Sequence, residues 1–168
     1  FFISTVTAVI VTPFIKKLAL RIGAVDQPNS RKVHPKAMPL LGGLSIFFGV
    51  TAGYIYLRPE TEYFYPIAAG GLIIVLIGLL DDKFTLSPKY KFLGQLLAAV
   101  IVVSSGLKID FITLPFGGEI HFGWFGYIVA IFWIVAITNA INLIDGLDGL
   151  AGGVSTIAMS SILVMAII

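Results

Sequence analysis

The sequence predicts an all-α membrane protein: a polytopic bundle of about six transmembrane helices with a short β-hairpin in one outer loop. Composition points there first. Of the 168 residues, 58% are hydrophobic and only 12% are charged, with a mean hydropathy of +1.00. Soluble domains average roughly half apolar and a quarter charged, so this chain lacks the polar surface to cover a water-facing globule. Periodicity points the same way, because successive apolar segments each come near the ~20 residues needed to cross a hydrocarbon core. The third observation is that the unusual polar residues gather between these segments, mostly at alternate ends.

The first segment runs from Phe1 to Leu20, with Lys16 and Lys17 bringing it early to the surface. No small-residue cleavage site precedes its basic flank, so it reads as a helix and not a signal peptide. The second covers Pro39 to Leu57 and the third Phe64 to Leu80. The fourth, Pro88 to Gly106, opens on Ser87 as cap and Pro88 in the first helical position. The fifth spans Trp124 to Ala140 and the sixth Ala151 to the end. Between the fourth and fifth, Ile109, Phe111, Ile120 and Phe122 alternate with polar residues around Gly117-Gly118, the pattern of a hairpin whose His121 lies on the surface. The spacing of Gly49 with Gly53, and of Gly149 with Gly153, suits close helix contacts. The chain begins on Phe1 and ends on Ile168 without a polar flank, so we expect one transmembrane domain over 1–168, the N-terminal piece of a longer chain. Absence of cysteine excludes disulfides and thiolate metal sites.

Charge sets the orientation. Lys16, Lys17, Arg21, Arg31, Lys32 and Lys36 follow the first segment, and Lys83, Lys89 and Lys91 follow the third. Only Arg58 and Lys108 fall after the second and fourth. Basic residues are retained in the cytoplasm, so the odd-numbered loops are expected there. Asp26, Asp81, Asp82, Asp145 and Asp148 share that side, with Asp110 opposite. Carboxylates do not obey the positive-inside rule, so their clustering calls for a functional cause.

Three motifs carry candidate chemistry. Asp81-Asp82 closes the third segment; adjacent carboxylates repel unless a cation neutralises them. Mg²⁺ would serve, since it favours carboxylate oxygens shared with substrate phosphates; a solvated helix cap is the plainer reading. The short link to Ser87 brings Lys91 near the pair, as a phosphate contact or a counter-ion, with Gln95 one turn further on the same face. In the second motif Asn139, Asn142, Asp145 and Asp148 recur every third residue, a slowly turning stripe of amides and carboxylates beside lipid. Gly146 and Gly149 permit close backbone approach there. The third motif is the loop Asp26 to Gly43, where Arg31, Lys32, His34 and Lys36 stand among Pro28, Pro35 and Pro39. Its cations suit nucleotide phosphates or anionic lipid. Together the loops describe a site for a phosphorylated, nucleotide-like donor and a lipid acceptor.

Asp81-Asp82-x-x-x-Leu86-x-Pro88-x-x-Lys91, the Asn139-to-Ala151 run, and Arg31-Lys32-x-His34 with Pro39-x-x-Gly42-Gly43 resemble the polyprenyl-phosphate N-acetylhexosamine-1-phosphate transferases, in order and along the whole chain. The Arg-Lys-x-His form resembles the branch that starts teichoic acid, O-antigen or enterobacterial common antigen synthesis; the phospho-MurNAc-pentapeptide branch usually has a Thr-containing loop. The resemblance implies an enzyme of the bacterial cell membrane with a cytoplasmic active site. It would transfer GlcNAc-1-phosphate from UDP-GlcNAc to undecaprenyl phosphate, with Mg²⁺ (or Mn²⁺) as cofactor. Asp81, Asp82 and Asp145 are then expected metal ligands, and Asp81, Asp82, Asn142, Asp145 and Asp148 the catalytic set. Arg31, Lys32, His34, Lys91 and Asn139 would bind substrate. The expected partners are a UDP-N-acetylhexosamine, a polyprenyl phosphate and the membrane, with a homodimer allowed and no nucleic acid. Family members carry further helices, a later cytoplasmic Asp and a His-rich loop that do not occur here, so this piece alone is expected to be inactive.

Two rivals are weaker. The CDP-alcohol phosphotransferases need Asp-Gly, two residues, then Ala-Arg, whereas Asp148-Gly149 leads into Leu150-Ala151-Gly152. A transporter's relay carboxylates belong near mid-membrane, and these lie at segment ends.

Overall fold

An apolar chain in lipid must satisfy its backbone internally, which leaves helices as the economical solution here. The computed structural model describes residues 1–26, 38–145 and 149–168 and is helical almost throughout. Its elements are α1 (Phe2–Ile22), β1 (Val25–Asp26), β2 (Met38–Pro39), α2 (Gly42–Leu57), α3 (Phe64–Phe84), α4 (Pro88–Val103), β3 (Phe111–Thr113), β4 (Glu119–His121), α5 (Gly126–Ile144) and α6 (Leu150–Ile167). A short 3-10 turn, Gly123–Phe125, leads into α5. The chain packs as two compact units, Phe1–Leu107 and Lys108–Ile168.

Among the described residues α1, α3, α6 and the Gly123–Ile144 span are long and apolar enough to cross a membrane. The polytopic helical class expected from sequence is therefore present. The helices α2 and α4 are shorter than their apolar runs, at 16 residues each. At ~1.5 Å per residue they reach about 24 Å, against a hydrocarbon core of about 30 Å. Local chemistry explains the loss: Pro39 is taken into β2 and Leu41 turns left-handed before α2, while Ser104–Gly106 bends away after α4, with Gly106 at φ 97°. Conversely α1 runs on to Ile22, so Lys16, Lys17 and Arg21 are exposed on its last turns instead of in a loop.

In the first unit, α1 lies against α2 through glycine. A Cβ on Gly49 would stand 2.7 Å from the Ser4 carbonyl oxygen, and one on Gly53 would collide with the Ser4 hydroxyl. The Gly49/Gly53 spacing thus marks a close contact, as expected. The second pair does not behave alike: Gly149 caps α6 at φ 77°, and Gly153 faces open space. Helices α3 and α4 also meet through glycine, Gly70 against Ala98 and Val102, Gly94 against Ile77. Strands β1 and β2 pair antiparallel, Val25 opposite Pro39, and close the base of the basic loop. Beneath them Ile15, Ala19, Ala24 and Leu41 form a small core that Leu79 of α3 joins.

The second unit begins with the hairpin. Phe111 stands opposite His121, Ile112 opposite Ile120 and Thr113 opposite Glu119, and Gly117 and Gly118 both take positive φ at the turn. The hairpin appears where the alternation placed it, but Phe111 and Ile120 fall on opposite faces, because a residue shares its face with the one directly across. His121 is exposed, 3.3 Å from the Glu119 carboxylate. At the base Lys108 bonds Asp110 at 2.9 Å, which raises the lysine above its ordinary pKa, chiefly through that hydrogen bond.

Candidate functional site

The end of α3 turns tightly into α4, and Asp81 organises the turn. Its backbone carbonyl accepts from the Thr85 amide at 2.8 Å, and Thr85 takes a left-handed φ of 51° to end the helix. Its carboxylate accepts from the Leu86 amide at 3.0 Å and meets the Lys91 ammonium at 2.6 Å. Lys91 lies in the first turn of α4 because the link is so short; both side chains are about a quarter exposed, at 31% and 21%. The counter-ion reading of Lys91 is what this geometry contains. Ser87 caps α4 by position and conformation only, since its hydroxyl makes no capping bond.

Asp82 points elsewhere. Its Oδ2 accepts a hydrogen bond at 3.0 Å from the amide of Leu41, the residue before α2. A helix N-terminus carries partial positive charge and unpaired amides, so a carboxylate there is stabilised. Leu41 holds φ 71° while 3% exposed, a conformation that costs a leucine about 1–2 kcal/mol. Burial among Ile15, Ala19 and Ala24 holds it there, and its amide is presented to Asp82. Next to it Gly42 and Gly43 are exposed, with open space where a side chain would stand. A phosphate could approach that backbone closely.

One turn along α4 from Lys91, Gln95 is 8% exposed and its Oε1 has no hydrogen-bond partner. Ser45 on α2 is likewise buried with an unpartnered hydroxyl. An apolar cleft of about 500 Å³ lies between the start of α1 and the end of α2, lined by Phe2, Val50, Tyr54 and Leu57. It stands at the opposite end of α2 from Leu41.

In the second unit Asn139 and Asn142 ride the last turns of α5, both exposed, and Asp145 ends the helix with φ −80° and ψ 43°. The expected stripe therefore holds for the two amides and turns off at Asp145, because the helix stops there. Asp148 lies outside the described residues, as do Arg31, Lys32 and His34.

A family model, glycosyl transferase family 4, matches residues 64–168, which include both the Asp81-Asp82 corner and the Asn139–Asp145 helix end. The chain belongs to that family. It is 53% identical over 99% of its length to a probable undecaprenyl-phosphate N-acetylglucosaminyl 1-phosphate transferase of Bacillus subtilis, covering 47% of that protein. It is 36% identical to undecaprenyl-phosphate alpha-N-acetylglucosaminyl 1-phosphate transferases of Yersinia pestis and Escherichia coli, over 87% and 89% of this chain and 40% and 41% of those proteins. The chain thus spans about half the length of the curated relatives it matches. No solved structure matches it.

Within this family 4 chain the donor set at the α3–α4 corner suits a hard divalent cation: carboxylate oxygens, half-buried, each oriented by a backbone amide. Among the described residues no three of His, Cys, Asp and Glu gather as a metal cluster. Carboxylates of this kind are what Mg²⁺ commonly shares with phosphate and water oxygens. In sequence Leu86 stands within the Asp81-Asp82 motif without a role, and Leu41 is not singled out; both meet the aspartates through their backbone amides. The Pro39-x-x-Gly42-Gly43 pattern flanks Leu41, yet nothing in it marks a left-handed leucine.

Proposed function

We propose that a chain of full family length carrying these residues transfers GlcNAc-1-phosphate from UDP-GlcNAc to undecaprenyl phosphate, releasing UMP. The observation that carries this reading is a likeness along nearly the whole chain to relatives named for that transfer. An oxygen of the lipid phosphate attacks the β-phosphorus of the donor, the bond from that phosphorus to the bridging oxygen breaks, and UMP leaves with the electron pair. Bound Mg²⁺ would neutralise the diphosphate and the charge growing on the leaving group.

The residues of this chain do the rest. Asp81 and Asp82 would hold the metal or receive the acceptor's proton, fixed in place by the Leu86 and Leu41 amides. Lys91 holds Asp81 and offers a cation to phosphate. Asn139, Asn142 and Asp145 (with Asp148) supply amides and carboxylates for the nucleotide or metal, and Arg31, Lys32 and His34 bind phosphate or sugar. The site belongs on the cytoplasmic face of a bacterial inner membrane, a reading supported by nine of the eleven lysines and arginines falling after the first and third apolar segments. The lipid-linked product would start a surface polysaccharide, teichoic acid among the candidates.

The test is transfer of labelled GlcNAc-1-phosphate into lipid by the full-length chain in detergent, with and without EDTA. EDTA-sensitive transfer supports the proposal. Transfer from UDP-MurNAc-pentapeptide alone would overturn the donor and keep the family chemistry. Transfer from neither donor, by folded protein, would overturn the reaction.

A further inference from the structure

The hairpin between β3 and β4 plays no part in the chemistry proposed above, and it has two unlike faces. On one, Phe111 and Thr113 stand across from His121 and Glu119. On the other, Ile112 pairs with Ile120, and Leu114 extends the apolar strip. These three remain 42–48% exposed, and at the turn Phe116 is 102% exposed. With Phe111 on the first face, itself 48% exposed, five exposed apolar side chains stand on one short hairpin, costly in water at about 25 cal/mol per Å² of apolar surface.

The hairpin is fastened to a membrane helix. The Ile109 amide donates to the Gly126 carbonyl at 3.3 Å, and the Phe122 amide to the Asp110 carbonyl at 2.9 Å. A Cβ on Gly126 would run into the Ile109 carbonyl, so only glycine allows this approach. Lys108 lies 5.7 Å from the Tyr127 ring in the first turn of α5. Between hairpin and helix stand Trp124 and Phe125, 74% and 48% exposed. Aromatic residues at the end of a spanning helix mark the headgroup level of a bilayer. Exposed apolar residues lie on both sides of that belt along the chain: Ile128, Phe132 and Trp133 after it in α5, and those of the hairpin before it.

We propose that this hairpin is an interfacial membrane anchor: its Ile112–Leu114–Ile120 face and Phe116 tip lie in the headgroup and upper acyl region of the bilayer, continuous with the lipid-facing surface of α5. The other face, where Thr113, Glu119 and His121 stand with Phe111 against the His121 ring, is turned to water. The occupant is lipid, because the hairpin is fastened to the aromatic end of a spanning helix, and because Thr113, Glu119 and His121 share the other face with one exposed apolar residue, Phe111.

A single cysteine at Phe116, Ile112, Thr113 or Glu119 tests this, in the full-length chain freed of any other thiol; residues 1–168 contain none. Each is labelled with an environment-sensitive fluorophore, in vesicles of equal parts phosphatidylcholine and phosphatidylglycerol. Labels at 116 and 112 are expected to be blue-shifted and quenched several-fold more by lipids nitroxide-labelled near the headgroup than labels at 113 and 119. Quenching at 116 and 112 by aqueous iodide and not by nitroxide lipid would place the hairpin in water and overturn the anchor. Insensitivity to both quenchers would mean that protein covers the face, which also overturns it. Phe116 is fully exposed, so F116C removes no packing and leaves the readout independent of folding.

Discussion

Asp82 accepts a 3.0 Å hydrogen bond from the backbone amide of Leu41, a residue 41 positions earlier at the start of another helix. The carboxylate of Asp81 turns instead to Leu86 and Lys91 on α4. Two neighbours in sequence therefore fasten α3 to two different helices.

Replacing Asp82 separates its two tasks. Asp82→Asn in the full-length chain keeps an acceptor for Leu41, so thermal stability should change by no more than about 1 kcal/mol, while UMP release falls to background. Asp82→Ala should lose about 1–2 kcal/mol besides, as a helix start loses its cap. UMP release by Asp82→Asn near the parent rate would remove Asp82 from the chemistry.

The Asp81–Lys91 pair is partly shielded from water, so its coupling should be measurable. A double-mutant cycle with Asp81→Asn and Lys91→Met is expected to give about 1 kcal/mol in unfolding free energy. Turnover should fall more for Asp81→Asn than for Lys91→Met, since the carboxylate is the proposed metal ligand. A coupling of zero would show that the contact does not hold the α3–α4 corner.

Leu41 should reverse the usual order of glycine and alanine. Both substitutions remove a buried side chain, at a cost of about 2–4 kcal/mol. Glycine alone relieves the left-handed backbone, recovering about 1 kcal/mol. Leu41→Gly is therefore expected to melt above Leu41→Ala. The opposite order would mean that the αL conformation is not held in the folded protein.

Two helical glycines should respond in opposite ways. At Gly49 an added methyl would meet the Ser4 backbone, so Gly49→Ala should destabilise by about 1–3 kcal/mol. At Gly153 nothing lies within reach, and Gly153→Ala should be neutral or stabilising by up to about 1 kcal/mol. Thermal unfolding in one detergent compares them directly. A large loss at Gly153 would reveal a neighbour seated on α6.

Much of this protein was legible in its order of residues. Lipid offers no hydrogen bonds, so long apolar runs had to become helices, and all six form near their expected positions. The hairpin followed from alternation around Gly117-Gly118, and Lys91's approach to Asp81 from a link too short to place it elsewhere. Family membership followed from motifs whose spacing survives in a linear reading. Tertiary structure alone decided the partners. Which oxygen Asp82 spends on which amide, the left-handed turn at Leu41, and the contrast between Gly49 and Gly153 depend on segments far apart in sequence. Burial and close packing are set by what the neighbouring helix presents, and no local pattern contains the neighbour.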